Sequence, residues 1–280
     1  MKFTSYNVFM RDFYRSGIEY AALHSASLGF SGVEFLDFCE HGHKLDKEKL
    51  KGAEARRIVE ANGLTVDCFS AFANLMSDDR EGTLASLYGM IDYAAELGSP
   101  AFHHTLVPMI RGSEGMPTYD EIFEDILKIE EGVAKYCADR SMKCLYEPQG
   151  RYFNGVQGLS RLMHALSETC DNVGLCADLG NSVFVDEDPV NVMEVLGKYA
   201  RHAHIKNYRL SDESLGLPGE LRSVGGKYIY EVFPPEGDIR LGEGIRILRE
   251  SGYKGSFSLE FATDDDRMRE IMKYLNSLDV

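Results

Sequence analysis

The sequence predicts an α/β fold, a single closed (β/α)8 barrel, on three grounds. Eight short β-like runs recur roughly every 30 to 40 residues, the length of one strand, one helix and two loops. The segments between them repeat their apolar residues at helical spacing. No composition break or Ser/Pro linker divides the 280 residues, a length suited to one barrel domain spanning 1–280. Closure removes the edges that an open sheet keeps. The competing open, doubly wound sheet is weakened because no GxGxxG turn follows the first run.

In chain order the runs are KFTSYN, GVEFLDF, LTVDCFSAF, PAFHHTLV, MKCLYE, VGLCAD, RHAHIKN and GSFSLEF. The first lies in MKFTSYNVFM, which alternates like a strand and has neither the charged start nor the long apolar run of a signal peptide. Asn62-Gly63 and Gly98 stand where helices end ahead of the third and fourth runs. Between those runs Leu84, Leu87, Tyr88, Ile91 and Ala95 form one apolar stripe that would face the sheet. After the fourth run, Thr118 and Glu121 have capping-box spacing ahead of Ile122, Ile126 and Ile129, so a helix begins at Thr118 or just after it. The seventh and eighth runs are the farthest apart. The Gly-, Pro- and charge-rich residues 207–239 between them predict a loop over the active site, because loops at strand C-termini build barrel active sites.

Formal net charge is −15, with 45 acidic residues against 30 basic, so the long-range field repels polyphosphate and argues against a nucleic-acid partner. The same acidity serves solubility. No stretch approaches the roughly 18 to 20 apolar residues of a membrane span, and the expectation is a cytoplasmic protein with no membrane partner. Cys39, Cys68, Cys137, Cys144, Cys170 and Cys176 are scattered with no CxxC pair, and three lie inside β-like runs. They read as reduced, buried thiols and not as a disulfide framework.

Each of the last four runs carries a metal-competent residue near its end. Glu147 closes MKCLYE, Asp178 closes VGLCAD, His204 lies in HAHIK and Glu260 closes FSLE. Strand ends converge at one barrel mouth, and side chains alternate in and out along each strand. The other parity is apolar: Cys144 and Tyr146, Leu175 and Ala177, Ala203 and Ile205, Phe257 and Leu259. That leaves the three acids and the histidine pointing inward. Three carboxylates at one site repel one another and suffer desolvation unless a cation neutralises them, which argues for one divalent ion. Oxygen donors with one imidazole suit Mn²⁺ first, and also Mg²⁺, Co²⁺ or Zn²⁺, and without a thiolate a purely structural zinc fits less well.

The motifs YEP, CADLGN, HAHIKNYR, PPEGDI and GYKGSFSLEF together make the chain resemble the xylose isomerase-like TIM barrels, among them sugar phosphate isomerases/epimerases, ketose 3-epimerases, inosose dehydratase and hydroxypyruvate isomerase. The resemblance covers nearly the whole chain. It implies that Glu147, Asp178, His204 and Glu260 are the metal ligands and that the substrate is a small carbohydrate. It further implies proton transfer beside a carbonyl through a metal-stabilised enediolate, with Glu147 and Glu260 as acid and base on opposite substrate faces. It also implies a homo-oligomer, a dimer or tetramer. The expected activity is that of an isomerase or epimerase. A lyase or dehydratase using the same abstraction is the alternative, and a non-catalytic sugar-binding barrel or complex subunit is the third reading. An abasic-site endonuclease of this fold would need a basic groove and further histidines.

Lys206 shares the parity of His204 and reads either as a ligand for a substrate hydroxyl, carboxylate or phosphate or as a salt bridge to a metal carboxylate. Arg209 reads as a substrate contact or a solvated loop charge. His103, inward with Ala101 and Thr105, reads as barrel packing or substrate binding, and Glu34 as an internal polar partner. Tyr6, Phe69, Phe72 and Phe153 could wall a sugar or pack in the core. Where many relatives have His three residues after the sixth-strand Asp, this chain has Asn181, which can hydrogen-bond a hydroxyl but cannot exchange protons near neutral pH. Asn207 replaces a common Asp, and Pro148, Gln149, Gly150 and Arg151 replace the ketose 3-epimerase pattern.

Overall fold

The computed structural model describes residues 1–37, 44–110, 112 and 115–280, so Cys39 lies outside the described residues. Eight parallel strands close into a barrel: β1 (Phe3–Ser5), β2 (Gly32–Leu36), β3 (Thr65–Ala71), β4 (Ala101–His104), β5 (Lys143–Tyr146), β6 (Val173–Asp178), β7 (Ala200–Ile205) and β11 (Phe257–Leu259). They correspond to the eight runs. β11 pairs with both β1 and β7, which closes the ring and leaves no free edge.

The alternation read from the sequence holds. Tyr146, Phe257, Leu175, Ala203, Ile205 and Leu259 are buried in the main core between strands and helices, where the stacked rings of Phe69 and Phe102 also lie, 5.9 Å apart. The opposite parity makes a separate small plug inside the barrel, formed by Cys68, Ala101, Leu145 and Cys176. Polar side chains occupy the barrel beside and above that plug.

Helices α1 (Asn7–Ser16) and α2 (Ile18–Leu28) follow β1, and α3 (Gly52–Ala61) and α4 (Arg80–Glu96) follow β2 and β3. Next come α5 (Tyr119–Ala138), α6 (Gly155–Thr169), α7 (Pro189–Leu196), α8 (Leu241–Glu250) and α9 (Asp265–Ser277). Thr118 caps α5 with the full reciprocal box to Glu121, as its spacing predicts. The stripe of α4 is rotated from the expected one. Leu87 and Ile91 are buried together with Met90, Tyr93 and Ala94, while Leu84, Tyr88 and Ala95 are half-buried. The helix is wedged between sheet and neighbour, so Tyr88 packs its ring edge-on against Tyr136 of α5 at 4.5 Å instead of facing the strands.

Residues 207–239 hold a three-stranded antiparallel sheet of β8 (Tyr208–Ser211), β9 (Leu221–Arg222) and β10 (Tyr228–Glu231). It is tied down at its base by the Asn207 carboxamide, which accepts from Tyr208 N and Ile239 N, and at its side by Val224 N donating to Phe184 O. Five cysteines, Cys68, Cys137, Cys144, Cys170 and Cys176, are free and buried. No described helix is long and apolar enough to cross a membrane.

Candidate active site

Strand register gathers the four acid and imidazole positions at one mouth. Asp178 and Ser258 both pair with His204 across the sheet, and Glu260 continues the ladder by donating its N–H to Ile205 O. Glu147 follows β5 directly, and Pro148 after it favours an extended backbone at the strand end. The CADLGN segment folds back on its own aspartate: Gly180 N and Asn181 N donate to Asp178 Oδ1 at 2.8 and 2.6 Å. That turn leaves Oδ2 aimed into the site. Gly180 is required there, because a Cβ would stand 2.4 Å from Lys206 Cγ.

His204 Nδ1 is the centre of the cluster. It lies 3.6 Å from Glu147 Oε2, 3.8 Å from Asp178 Oδ2 and 3.6 Å from Glu260 Oε2. Nδ1 is buried without a hydrogen-bond partner, whereas the buried Asp178 Oδ2 has the Lys206 ammonium 3.1 Å away. Orphaned buried polar atoms are costly and call for a ligand. Donors sharing one ion at about 2.0–2.2 Å lie about 3 to 3.6 Å apart, so this set fits a single divalent cation with small adjustments. Glu147, Asp178 and His204 form one of the buried clusters able to hold a metal, and Glu260 borders it with 27% of its side chain exposed, the most open of the four.

The other nitrogen of His204 is occupied. Nε2 meets Glu34 Oε1 at 3.0 Å, and Glu34 also binds His202 Nε2 at 2.7 Å and accepts from Ser70 and Ser258 hydroxyls. Tyr6 stacks on the His204 ring at 5.3 Å. Burial would raise the Glu34 carboxyl, but His204 and His202 hold it well below the usual range. The same contest at Glu147, burial against the imidazoles of His103 and His204, ends with its carboxyl held low. Glu260 goes the other way. Burial, helped by Asp178 and Glu147 and opposed by Lys206 and His204, pushes it up to about 7.

Lys206 takes the salt-bridge position. Its ammonium is 2.7 Å from Glu260 Oε2 and 3.1 Å from Asp178 Oδ2, and it donates to Asn181 Oδ1 at 3.2 Å. Burial would lower its pKa, yet Asp178 and Glu260 hold it well above the usual value. His103 Nδ1 bonds Ser70 at 2.9 Å, and its Nε2, without a hydrogen bond, lies 3.5 Å from Glu147 Oε1. A cavity of about 360 Å³ opens over the cluster, within the size range of small-molecule sites, and Glu147, His204, Lys206, Glu260, Asn181 and His103 all line it.

Two expectations end differently. Arg209 is not brought to the cavity: it sits in β8 and donates to Glu236 O at 3.1 Å. None of the described residues 207–239 lines the cavity either, because their sheet leans on the turn after β6. Helix α1 takes that place at the mouth. Tyr6 and the half-exposed Phe72 do wall the cavity, whereas Phe69 and Phe153 are fully buried in the core.

A family model described as xylose isomerase-like TIM barrel matches residues 23–278. The chain belongs to this family. An inosose dehydratase of Clostridium botulinum is 25% identical over 268 residues, covering 88% of this chain and 82% of the relative. Another, of Clostridium tetani, is 25% identical over 150 residues that cover 53% of this chain, and that match spans 50% of the relative's length. The crystal structure of the IOLI protein with a zinc atom bound superposes with a TM-score of 0.75 at 16% identity, covering 99% of this chain and 98% of that one, a likeness of fold.

In this xylose isomerase-like barrel, sequence reasoning missed His202, Ser70 and Ser258, which surround Glu34, and Asn7, Met10, Arg11, Tyr14 and Arg15, which line the cavity from α1. His202 shares the parity of His204 and Lys206, so that much was there to be found. Nothing in the α1 segment marks it as a wall, since its position depends on how the first βα connection crosses the mouth.

Proposed function

We propose that the chain is a divalent-metal-dependent enzyme that removes a carbon-bound proton beside the carbonyl of a small sugar, sugar acid or polyol derivative. The observation behind this reading is the orphaned His204 Nδ1 facing three carboxylate oxygens at 3.6 to 3.8 Å. Glu147, Asp178, His204 and Glu260 would hold the ion, which when bound supplies stabilisation of the negative charge that develops on the carbonyl oxygen.

The remaining chemistry belongs to side chains. Glu147, held ionised by the neighbouring imidazoles, serves as base, and Glu260, the most open of the four, serves as its acid–base counterpart on the opposite face of the substrate. Lys206 fixes the Glu260 and Asp178 carboxylates. His103 Nε2 and the Asn181 amide offer hydrogen bonds to substrate hydroxyls. Return of the proton to carbon makes the enzyme an isomerase or epimerase. Loss of a β-hydroxyl instead makes it a dehydratase, which the two inosose dehydratase relatives favour.

The test is incubation of the Mn²⁺ form with a panel of sugars and keto-sugars in D₂O. Deuterium on a carbon of recovered material, or a product lighter by one water, is expected from at least one compound and identifies the branch. Glu147→Gln and Glu260→Gln should each slow that exchange by about 10²- to 10⁴-fold beyond any loss of metal. Full exchange in both variants would reject the assigned roles.

A further inference from the structure

Helix α1 turns one stripe to the cavity: Asn7, Met10, Arg11, Tyr14 and Arg15, the i, i+3, i+4, i+7, i+8 spacing of a single face. In a globular protein such a stripe is ordinarily core. Here two of its five members are arginines one turn apart, a like-charge arrangement that weakens an isolated helix. The pair therefore needs another explanation, the more so in a chain of net charge −15.

The two guanidinium groups are held differently. Arg11 is paired with Asp12, whose Oδ1 lies 2.9 Å from its Nε and 2.8 Å from its Nη2, and it donates from Nη1 to Thr263 O at 2.5 Å, which fixes its plane against the rim and leaves two of its five N–H groups over. Arg15 is exposed and has no ion-pair or hydrogen-bond partner among the described residues. Lys206, the remaining cation of the cavity lining, is already compensated by Asp178 and Glu260. The cavity is thus polarised. Its barrel end is acidic, its α1 end carries the charge of Arg15, which no described residue compensates, and Leu36, Ala71 and the half-exposed Phe72 add apolar surface. Arg15 lies about 12 Å further along the helix axis than Asn7, so the stripe runs from the barrel mouth outward along the cavity wall.

We infer that the α1 end of the cavity binds an anionic group of the substrate, a carboxylate or a phosphate, through Arg15 and Arg11. The inference rests on the reading of the site as a carbohydrate-processing centre and narrows its substrate to sugar acids or sugar phosphates. Arginine suits either anion because its planar fork matches both in bidentate geometry. A basic residue in the last turn of a helix also complements the helix dipole, but that role would alter stability and not ligand preference.

The experiment is calorimetric titration of the Mn²⁺-loaded protein with D-fructose, D-fructuronate and D-fructose 6-phosphate, which share a ketose head and differ at C6. At least one anion should bind tenfold or more tighter than fructose, and added salt should weaken that preference. Arg15→Ala should reduce the preference to below threefold and leave fructose binding unchanged, and Arg11→Lys should reduce it in part. The anion that gains identifies carboxylate or phosphate. Equal binding of the three compounds, binding of none, or an equal loss for all three in Arg15→Ala would overturn the inference. Deuterium exchange on neutral sugars without charge preference removes this inference alone, whereas charge preference without exchange on any sugar removes the proposed chemistry alone.

Discussion

At His204 the two ring nitrogens have separate tasks, and Glu34 separates them. With Nε2 engaged by the buried Glu34 carboxylate, Nδ1 is directed at the three site carboxylates. A carboxylate behind a metal-binding histidine fixes its tautomer and ring orientation and raises its basicity, and removing such a partner typically costs 10- to 100-fold in metal affinity. Glu34→Gln should therefore weaken Mn²⁺ binding by about 10- to 100-fold, read by calorimetry. Unchanged affinity would mean that Tyr6 stacking alone holds the ring. The sequence marks Glu34 as an internal polar residue, but it could not supply the partner. Glu34 and His204 stand 170 positions apart and meet only because the barrel closes. Asp178 is the opposite case, since its turn is made by residues two and three places on and is visible in the motif itself.

Among the elements, α1 matters most to the site because it forms the cavity rim, and a charged clamp sets its position. His24 of α2 contacts Asp12 of α1 at 2.6 Å and Asp265 of α9 at 2.9 Å. Burial would lower the His24 pKa, but hydrogen bonds to Asp12 and Asp265 raise it. A raised folded-state pKa contributes stability that is fully present below the unfolded value of about 6.5 and is lost as pH rises through the folded value. His24→Gln should therefore destabilise the protein more at about pH 5.5 than at about pH 9. Urea unfolding at the two pH values checks it, and an equal loss at both would show that the clamp works without charge. Elements were legible where their signals are local. The Thr118 capping box lies within four residues and was realised in full, whereas the buried face of α4 depends on contact with α5 and came out rotated. The sheet of residues 208–231 escaped for the same reason, because its Gly- and Pro-rich segments conceal antiparallel pairing fixed by turns and by Asp186, Phe184 and Asn207.

At the scale of the whole molecule, parallel closure converts four strand ends from distant parts of the chain into one pocket. This is why the acidic mouth could be read from alternation once the recurring runs had indicated a barrel: the apolar parity of β5, β6, β7 and β11 must face the helices, and the polar parity is left to converge. The cavity wall could not be read, since it is made by connections whose paths alternation does not constrain. Lys206 among the carboxylates gives the mouth a cation of its own, so the need for a divalent ion rests on what Lys206 leaves uncovered, the His204 Nδ1 and Glu147 side of the cluster. Anomalous diffraction from crystals grown with Mn²⁺ tests this directly. One strong peak per chain is expected among Glu147, Asp178, His204 and Glu260, with Lys206 Nζ displaced from Asp178 Oδ2; crystals with no peak there, and Lys206 still bridging Asp178 and Glu260, would overturn the assignment of a metal site.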